Sequence, residues 1–221
     1  MTPWPPTVQE WLAHDPDPGS AAELAACSAD ELRERFAHSL TFGTAGLRGP
    51  LRAGPNGMNL AVVLRTTWGV TAVLAERGLG GGGVVVGYDA RHRSAKFGRA
   101  AAEVFAAQGF SVTLMPGPVP TPVVAFAVRR TGAVAGVQIT ASHNPPTDNG
   151  YKVYLEGGLQ IVSPTDRDIE QAIASAPPAD QIPRTPVEES GADLLSAYAE
   201  RAATVRRGAG SVRVALTPMH G

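Results

Sequence analysis

From residue 57 to residue 142 the chain alternates stretches of helical period with short apolar runs of strand type, and this alternation limits the fold more than any other feature. A helical pattern runs through Val63, Thr67, Val70 and Leu74 and is stopped by Gly78. VVVGYD follows as a continuous apolar strand of the kind buried on both faces. A second helix starts at Ser94, puts Phe97, Ala101 and Val104 on one side, and ends at Gly109. SVTLMP is then a strand, PTPVVAFAVRRTG a helix, and AVAGVQITAS a strand that delivers Ser142. Strand and helix in turn predict an α/β domain around a mostly parallel, mixed sheet with helices on both faces.

The flanks add smaller units. Residues 1–39 form an Ala-rich helical arm, with Trp4 and Trp11 expected to pack it down. YKVYLEGG and LQIV predict a hairpin. Ser163 is expected to cap a helix with Pro164 in its first turn and Ile169, Ala172, Ile173 and Ala176 on one face. APPADQIPRTPVEESG has linker composition, residues 192–205 a helical one, and VRVALTP that of a buried strand. The expected partition is an arm (1–39), a main domain (40–186), a linking helix (187–208) and the first strand of a second domain (209–221).

Composition narrows the function. A chain of 221 residues buries a good core. Its net charge of −1 carries no basic excess, which argues against nucleic acid or an anionic membrane as principal partner. Cys27 is the sole cysteine, so no internal disulfide forms and a reducing, cytoplasmic setting is expected. No apolar run is long enough to span a bilayer, and the first residues lack the pattern of a signal peptide.

The chemistry concentrates around ITASHNPPTDNGYKVY. Ser142 stands in the loop after a strand, where open α/β sheets bind ligands. Lys152 lies ten positions on, past the turn-forming Asp148-Asn149-Gly150. Arg48 sits in the Gly-rich TFGTAGLRG, and Arg91 follows a strand end in GYDARHRS. Two arginines and a lysine on strand-end loops make a phosphate site if they converge, because guanidinium donors match phosphate oxygens. Plainer readings compete: a Ser-His pair is usually turn chemistry, and adjacent residues of extended backbone point to opposite faces, which places His143 poorly as a base for Ser142. No G-x-S-x-G is present, which argues against a serine hydrolase. The run Gly80 to Gly83 precedes a strand and lacks Gly-Lys-Ser/Thr, so it is a loop. Asp15 and Asp17, between prolines, read as a solvated turn.

TASHNP followed by DNGYK resembles the active-serine signature of the α-D-phosphohexomutases, and FGTAGLRG, PTPVVAFAV and the terminal TPMHG are most similar to the phosphoglucomutase/phosphopentomutase branch. The resemblance covers residues 40–221. It implies that Ser142 carries a phosphoryl group, gives it to a sugar monophosphate and takes back the other phosphate of the resulting bisphosphate. It implies further that Arg48 steadies the phosphoryl group and that Lys152 is the general acid/base, with His143 assisting. Arg91 enters as a phosphate ligand from its place after a strand. Mg²⁺ is the implied cofactor, with the Ser142 phosphoryl oxygen as one ligand, and a glucose 1,6-bisphosphate-type activator is implied with it. The family's D-G-D-x-D-R metal loop and G-E-x-S-G-H sugar loop have no counterpart here; Glu188-Glu189-Ser190-Gly191 imitates the latter but reads as linker or helix cap. The expectation is therefore the first of four domains plus one strand, from an enzyme interconverting hexose 1- and 6-phosphates, inactive on its own. Phosphomannomutase or phosphopentomutase activity is the alternative within the family, and a non-catalytic sugar-phosphate-binding module the alternative outside it.

Overall fold

The computed structural model describes residues 7–43, 46–208 and 210–220. Three short helices, α1 (Val8–His14), α2 (Gly19–Ala25) and α3 (Ala29–Ala37), form the N-terminal arm. Capping boxes fix two of their starts, Thr7 with Glu10 and Ser28 with Glu31. Trp11 is buried edge-on against Phe36, and Glu23 ties the arm to the main body by accepting from the Ala53 amide at 2.9 Å. Trp4 lies outside the described residues.

The main body then runs β1 (Leu47–Pro50), α4 (Leu60–Glu76), β2 (Gly83–Tyr88), α5 (Ser94–Ala107), β3 (Ser111–Leu114), α6 (Thr121–Thr131), β4 (Ala135–Ile139), β5 (Asp148–Leu155), β6 (Leu159–Gln160), α7 (Thr165–Ala174) and α8 (Ala192–Ala203). The strand order is β1-β5-β4-β2-β3, with β6 also against β5. β2 pairs in parallel with β3 and β4, whereas β5 runs antiparallel to β1, β4 and β6. One reversed strand thus makes the sheet mixed, because the short loop from β4 to β5 leaves no room for a crossover helix.

Each face of the sheet has its own core. Val84, Val86, Val137, Ile139, Tyr151 and Val153 pack beneath α4 and α5 on one side. Val85 and Tyr154 join Val123, Val124, Ala127 and Val128 of α6 on the other. The period of two along each strand dictates this division. Helix α8 belongs to the second face: Leu194 is buried there, and Tyr198 meets Phe126 edge-on at 5.6 Å.

Some boundaries differ from the sequence reading for local reasons. Helix α4 starts at Leu60, because the Asn59 side chain caps it through the Val62 amide at 3.0 Å. Helix α7 starts at Thr165 rather than under a Ser163 cap; the Ser163 hydroxyl donates instead to Asp166 Oδ1. Gly191 does cap α8, in left-handed conformation. VRVALTP forms no strand: Val212, Val214 and Leu216 are 75, 74 and 85% exposed. A strand needs a neighbour for its backbone groups, and this stretch pairs with none of the described strands.

Candidate active site at the serine loop

Strand β4 ends at Ile139, and the chain turns back through residues 140–147 into β5. Ser142 occupies this turn with φ of 58°, a left-handed conformation uncommon outside glycine. Its amide donates to Thr140 Oγ1 at 2.9 Å, and the Asn144 amide donates to the Ala141 carbonyl. Backbone held in a sparsely used region persists only where its surroundings over-determine it.

Those surroundings centre on Arg91. Its side chain is fully buried, and its two terminal nitrogens are spent on four loop carbonyls. Nη2 donates to Ser142 O at 2.9 Å and Asn144 O at 2.8 Å; Nη1 donates to Pro145 O at 2.7 Å and Asp148 O at 3.0 Å. Asp89 balances the charge, 3.3 Å from Arg91 Nε, and accepts from the Arg91 amide and the Ser94 hydroxyl. The Asn149 amide group donates to Ser94 Oγ at 2.9 Å and His92 O at 3.0 Å, closing the network. The expected role of Arg91 as a phosphate ligand therefore meets a geometric obstacle: both terminal nitrogens already have their partners.

Arg48 and Lys152 are different. Arg48 pairs with Gly150 across β1 and β5, and Lys152 pairs with Gln138 across β5 and β4. Residues directly opposite in antiparallel strands share a face. Leu47, Tyr151 and Val153 point into the α4 side, so Arg48 and Lys152 stand together on the opposite side. Two glycines allow this approach. A Cβ on Gly150 would lie 2.5 Å from Thr140 O and 2.6 Å from Leu47 O. At Gly46, whose φ is +76°, it would lie 1.8 Å from Tyr151 O.

The electrostatics suit an anion. Arg48 Nε is buried and makes no hydrogen bond, a donor aimed at nothing among the described residues. Burial first, and then the Arg48 charge, hold the Lys152 ammonium below the ordinary lysine value; Asp89 opposes them. A bound phosphate would give both cations a counter-charge. His143, next to Ser142, is exposed at the turn.

Asp89, Ser94, Asn149 and Thr140 escaped the sequence reading as a set. The only available signal was Asp89 two positions before Arg91 at a strand end. Among the described residues no group of three or more His, Cys, Asp and Glu side chains is placed to hold a metal ion. Asp89 is committed to Arg91 and Ser94. No described helix is long and apolar enough to cross a membrane.

Known proteins share this arrangement of sequence and fold. Residues 39–179 match the family model for phosphoglucomutase/phosphomannomutase, alpha/beta/alpha domain I. The chain is 42% identical over 176 residues to mouse phosphopentomutase, covering 74% of this chain and 28% of that protein. It is 41% identical over 173 residues to phosphoribomutase of Saccharomyces cerevisiae, covering 75% and 28%. It is 40% identical over 179 residues to human glucose 1,6-bisphosphate synthase, covering 75% and 29%. The chain thus spans under a third of the length of these curated relatives. Among solved structures, one described as a phosphomannomutase from Thermus thermophilus superposes with a TM-score of 0.54 at 36% identity, over 68% of this chain and 32% of that one. A phosphoglucomutase/phosphomannomutase family protein from Burkholderia thailandensis gives 0.56 at 25% identity, over 72% and 34%. The chain belongs to the phosphoglucomutase/phosphomannomutase family, of which it carries the α/β/α domain I.

Proposed function

We propose that this chain supplies the phosphoryl-carrying serine of a phosphosugar mutase. The observation that carries the reading is the unpartnered, buried Nε of Arg48, on the same sheet face as Lys152 and beside the loop that holds Ser142 in left-handed backbone. In the forward half-reaction the bond between the Ser142 oxygen and phosphorus breaks. A sugar hydroxyl forms the new bond to phosphorus, and its proton passes by way of Lys152 to the departing Ser142 oxygen. In the return half-reaction the serine oxygen bonds to the second phosphorus and the sugar oxygen leaves it. The proton of the serine hydroxyl passes by way of Lys152 to that sugar oxygen. Arg48 binds the phosphoryl oxygens, Arg91 holds the loop, and exposed His143 assists at its rim. Such transfer asks the protein mainly for positioning and charge stabilisation. Mg²⁺, when bound, would neutralise phosphoryl charge through the Ser142 phosphoryl oxygen and ligands from outside the described residues.

The substrate reading is a hexose 1-phosphate exchanging with its 6-phosphate, in the cytoplasm, primed by a glucose 1,6-bisphosphate-type activator. The names of the relatives favour a second reading, a pentose 1-phosphate exchanging with its 5-phosphate. Incubation with radiolabelled glucose 1,6-bisphosphate or ribose 1,5-bisphosphate tests both. The proposal expects label on Ser142, faster from the sugar of the true substrate. Label on another residue, or equal labelling of Ser142→Ala, rejects it.

A further inference from the structure

The N-terminal arm lies outside the matched family model, which begins at residue 39. The turn between α1 and α2 nonetheless reaches the helix that anchors the serine loop. A solvated turn was the expectation for Asp15 and Asp17, but the Asp17 side chain is only 11% exposed and grips two cations at the start of α5. Lys96 Nζ donates to its Oδ2 at 3.0 Å and Arg93 Nη1 at 3.3 Å. The turn is built to present this carboxylate. Trp11 Nε1 donates to Asp15 Oδ2 at 2.5 Å, the Asp17 amide donates to Asp15 Oδ1 at 2.8 Å, and the Gly19 amide donates to Asp17 Oδ1 at 3.1 Å. Trp11 is buried, so this chain of contacts starts in the core and ends on α5. Burial alone would raise the Asp17 carboxyl; the hydrogen bonds from Lys96 and Gly19 and the nearby charges of Lys96 and Arg93 hold it below the ordinary aspartate value instead.

Arg93 is where this grip matters. It precedes α5 with φ of 64°, in left-handed backbone, and its side chain does not cap the helix. A residue with a side chain stays in that region only where its surroundings hold it. On either side of it stand the anchors of the serine loop. His92 O accepts from Asn149 Nδ2 at 3.0 Å. Ser94 Oγ accepts from the same group at 2.9 Å and donates to Asp89 Oδ1 at 2.7 Å. The Ser94 amide in turn donates to Arg91 O at 3.1 Å. A shift of Arg93 out of its left-handed conformation would separate His92 from Ser94 and slacken the Asp89–Arg91 pair, whose guanidinium holds the Ser142 carbonyl.

We propose that the arm is a working part of the site: Asp17 clasps Arg93 and Lys96, fixes the left-handed start of α5, and so acts as a positioning residue for phosphoryl transfer at Ser142. The effect on transfer rests on Ser142 as phosphoryl carrier; the clasp itself does not. Other contacts keep the arm docked without Asp17. Glu23 accepts from Arg35 at 2.5 Å and from the Ala53 amide at 2.9 Å, and Glu34 takes both terminal nitrogens of Arg52 at 2.9 and 2.8 Å. Loss of the Asp17 charge therefore tests the clasp and not the folding of the arm.

Amide hydrogen exchange of the ¹⁵N-labelled 221-residue chain, paired with labelling by radiolabelled glucose 1,6-bisphosphate or ribose 1,5-bisphosphate, tests this. Asp17→Asn keeps the turn and removes the charge. Exchange at Ser94, Ser142 and Asn144 should quicken about fivefold, with Val86 and Val137 unchanged, and labelling of Ser142 should slow by about the same factor. Arg93→Gly supplies a residue that takes left-handed backbone freely, so it should leave both readouts near wild type. In that background Asp17→Asn should have no further effect, because glycine needs no holding. Unchanged exchange in Asp17→Asn, exchange quickened alike at Val86 and Val137, or the same loss with and without Arg93→Gly would each overturn the proposal. Absence of label in the wild type would overturn the serine assignment instead, and the exchange data would still decide the clasp.

Discussion

Arg91 Nη2 donates to the carbonyl of Ser142 at 2.9 Å, so the arginine holds the backbone of the serine loop. Four carbonyls converge on one planar donor fork, a geometry that a single ammonium cannot reproduce. Arg91→Lys should therefore keep the charge beside Asp89 yet slow phosphoryl transfer by about tenfold or more. It should also speed proteolysis within residues 142–148, which limited digestion and mass spectrometry would reveal. A variant impaired only in phosphate affinity, with the loop as resistant as before, would return Arg91 to the role of ligand. Arg91→Ala is less informative, because it strands the buried Asp89 carboxylate and should cost about 3–5 kcal/mol of stability.

Arg48 should behave in the opposite way. As a phosphate ligand it would make charge-assisted bonds each worth about 1.5–3 kcal/mol, so Arg48→Ala should slow transfer about ten- to a hundredfold. The melting temperature should hold or rise, since a buried donor without a partner is removed. A structural arginine would show falling stability with transfer by the folded fraction intact.

Lys152 is measurable directly, because the sequence has only one other lysine, Lys96. Trace acetylation across a pH series, read by peptide mapping, should give a midpoint for Lys152 below the ordinary lysine value of about 10.4. The linkage sign follows: a folded-state value depressed below the unfolded one means that stability rises with pH between the two. Lys152→Met should lose that rise, so wild type should gain on the variant as pH climbs toward the ordinary lysine value. Parallel stability curves would place Lys152 in ordinary solvent.

Gly46→Ala tests the close approach of β1 to β5. Its Cβ would sit 1.8 Å from the Tyr151 carbonyl, and its φ of +76° is strained for alanine. Separating the backbones should cost about 1–3 kcal/mol, read as a lower midpoint in urea. Arg48 and Lys152 would move apart, so transfer should fall in the folded fraction as well. Normal stability would mean that the strands tolerate the extra atom.

The sequence carried the β-α alternation well because burial of strands on both faces writes itself as VVVGYD and AVAGVQI, and helix ends as Gly109 and Gly132. It also placed Ser142 after a strand, while leaving open whether Arg48 and Lys152 converge on it. What it could not show was the direction of Arg91. Whether a guanidinium meets phosphate or backbone carbonyls depends on the path of a loop about fifty residues away. The same holds for Asn149 and Ser94, whose partnership spans 55 positions. VRVALTP has strand-like composition but pairs with none of the described strands and takes no strand conformation.

The central claim is that Ser142 carries the phosphoryl group. Protein purified without phosphatase treatment should show, by intact mass and peptide mapping, a phosphorylated fraction whose phosphate sits on Ser142. That phosphate should be discharged by the cognate sugar monophosphate and absent from Ser142→Ala. Phosphate found only at other residues, or mutase activity undiminished in Ser142→Ala, would contradict the account.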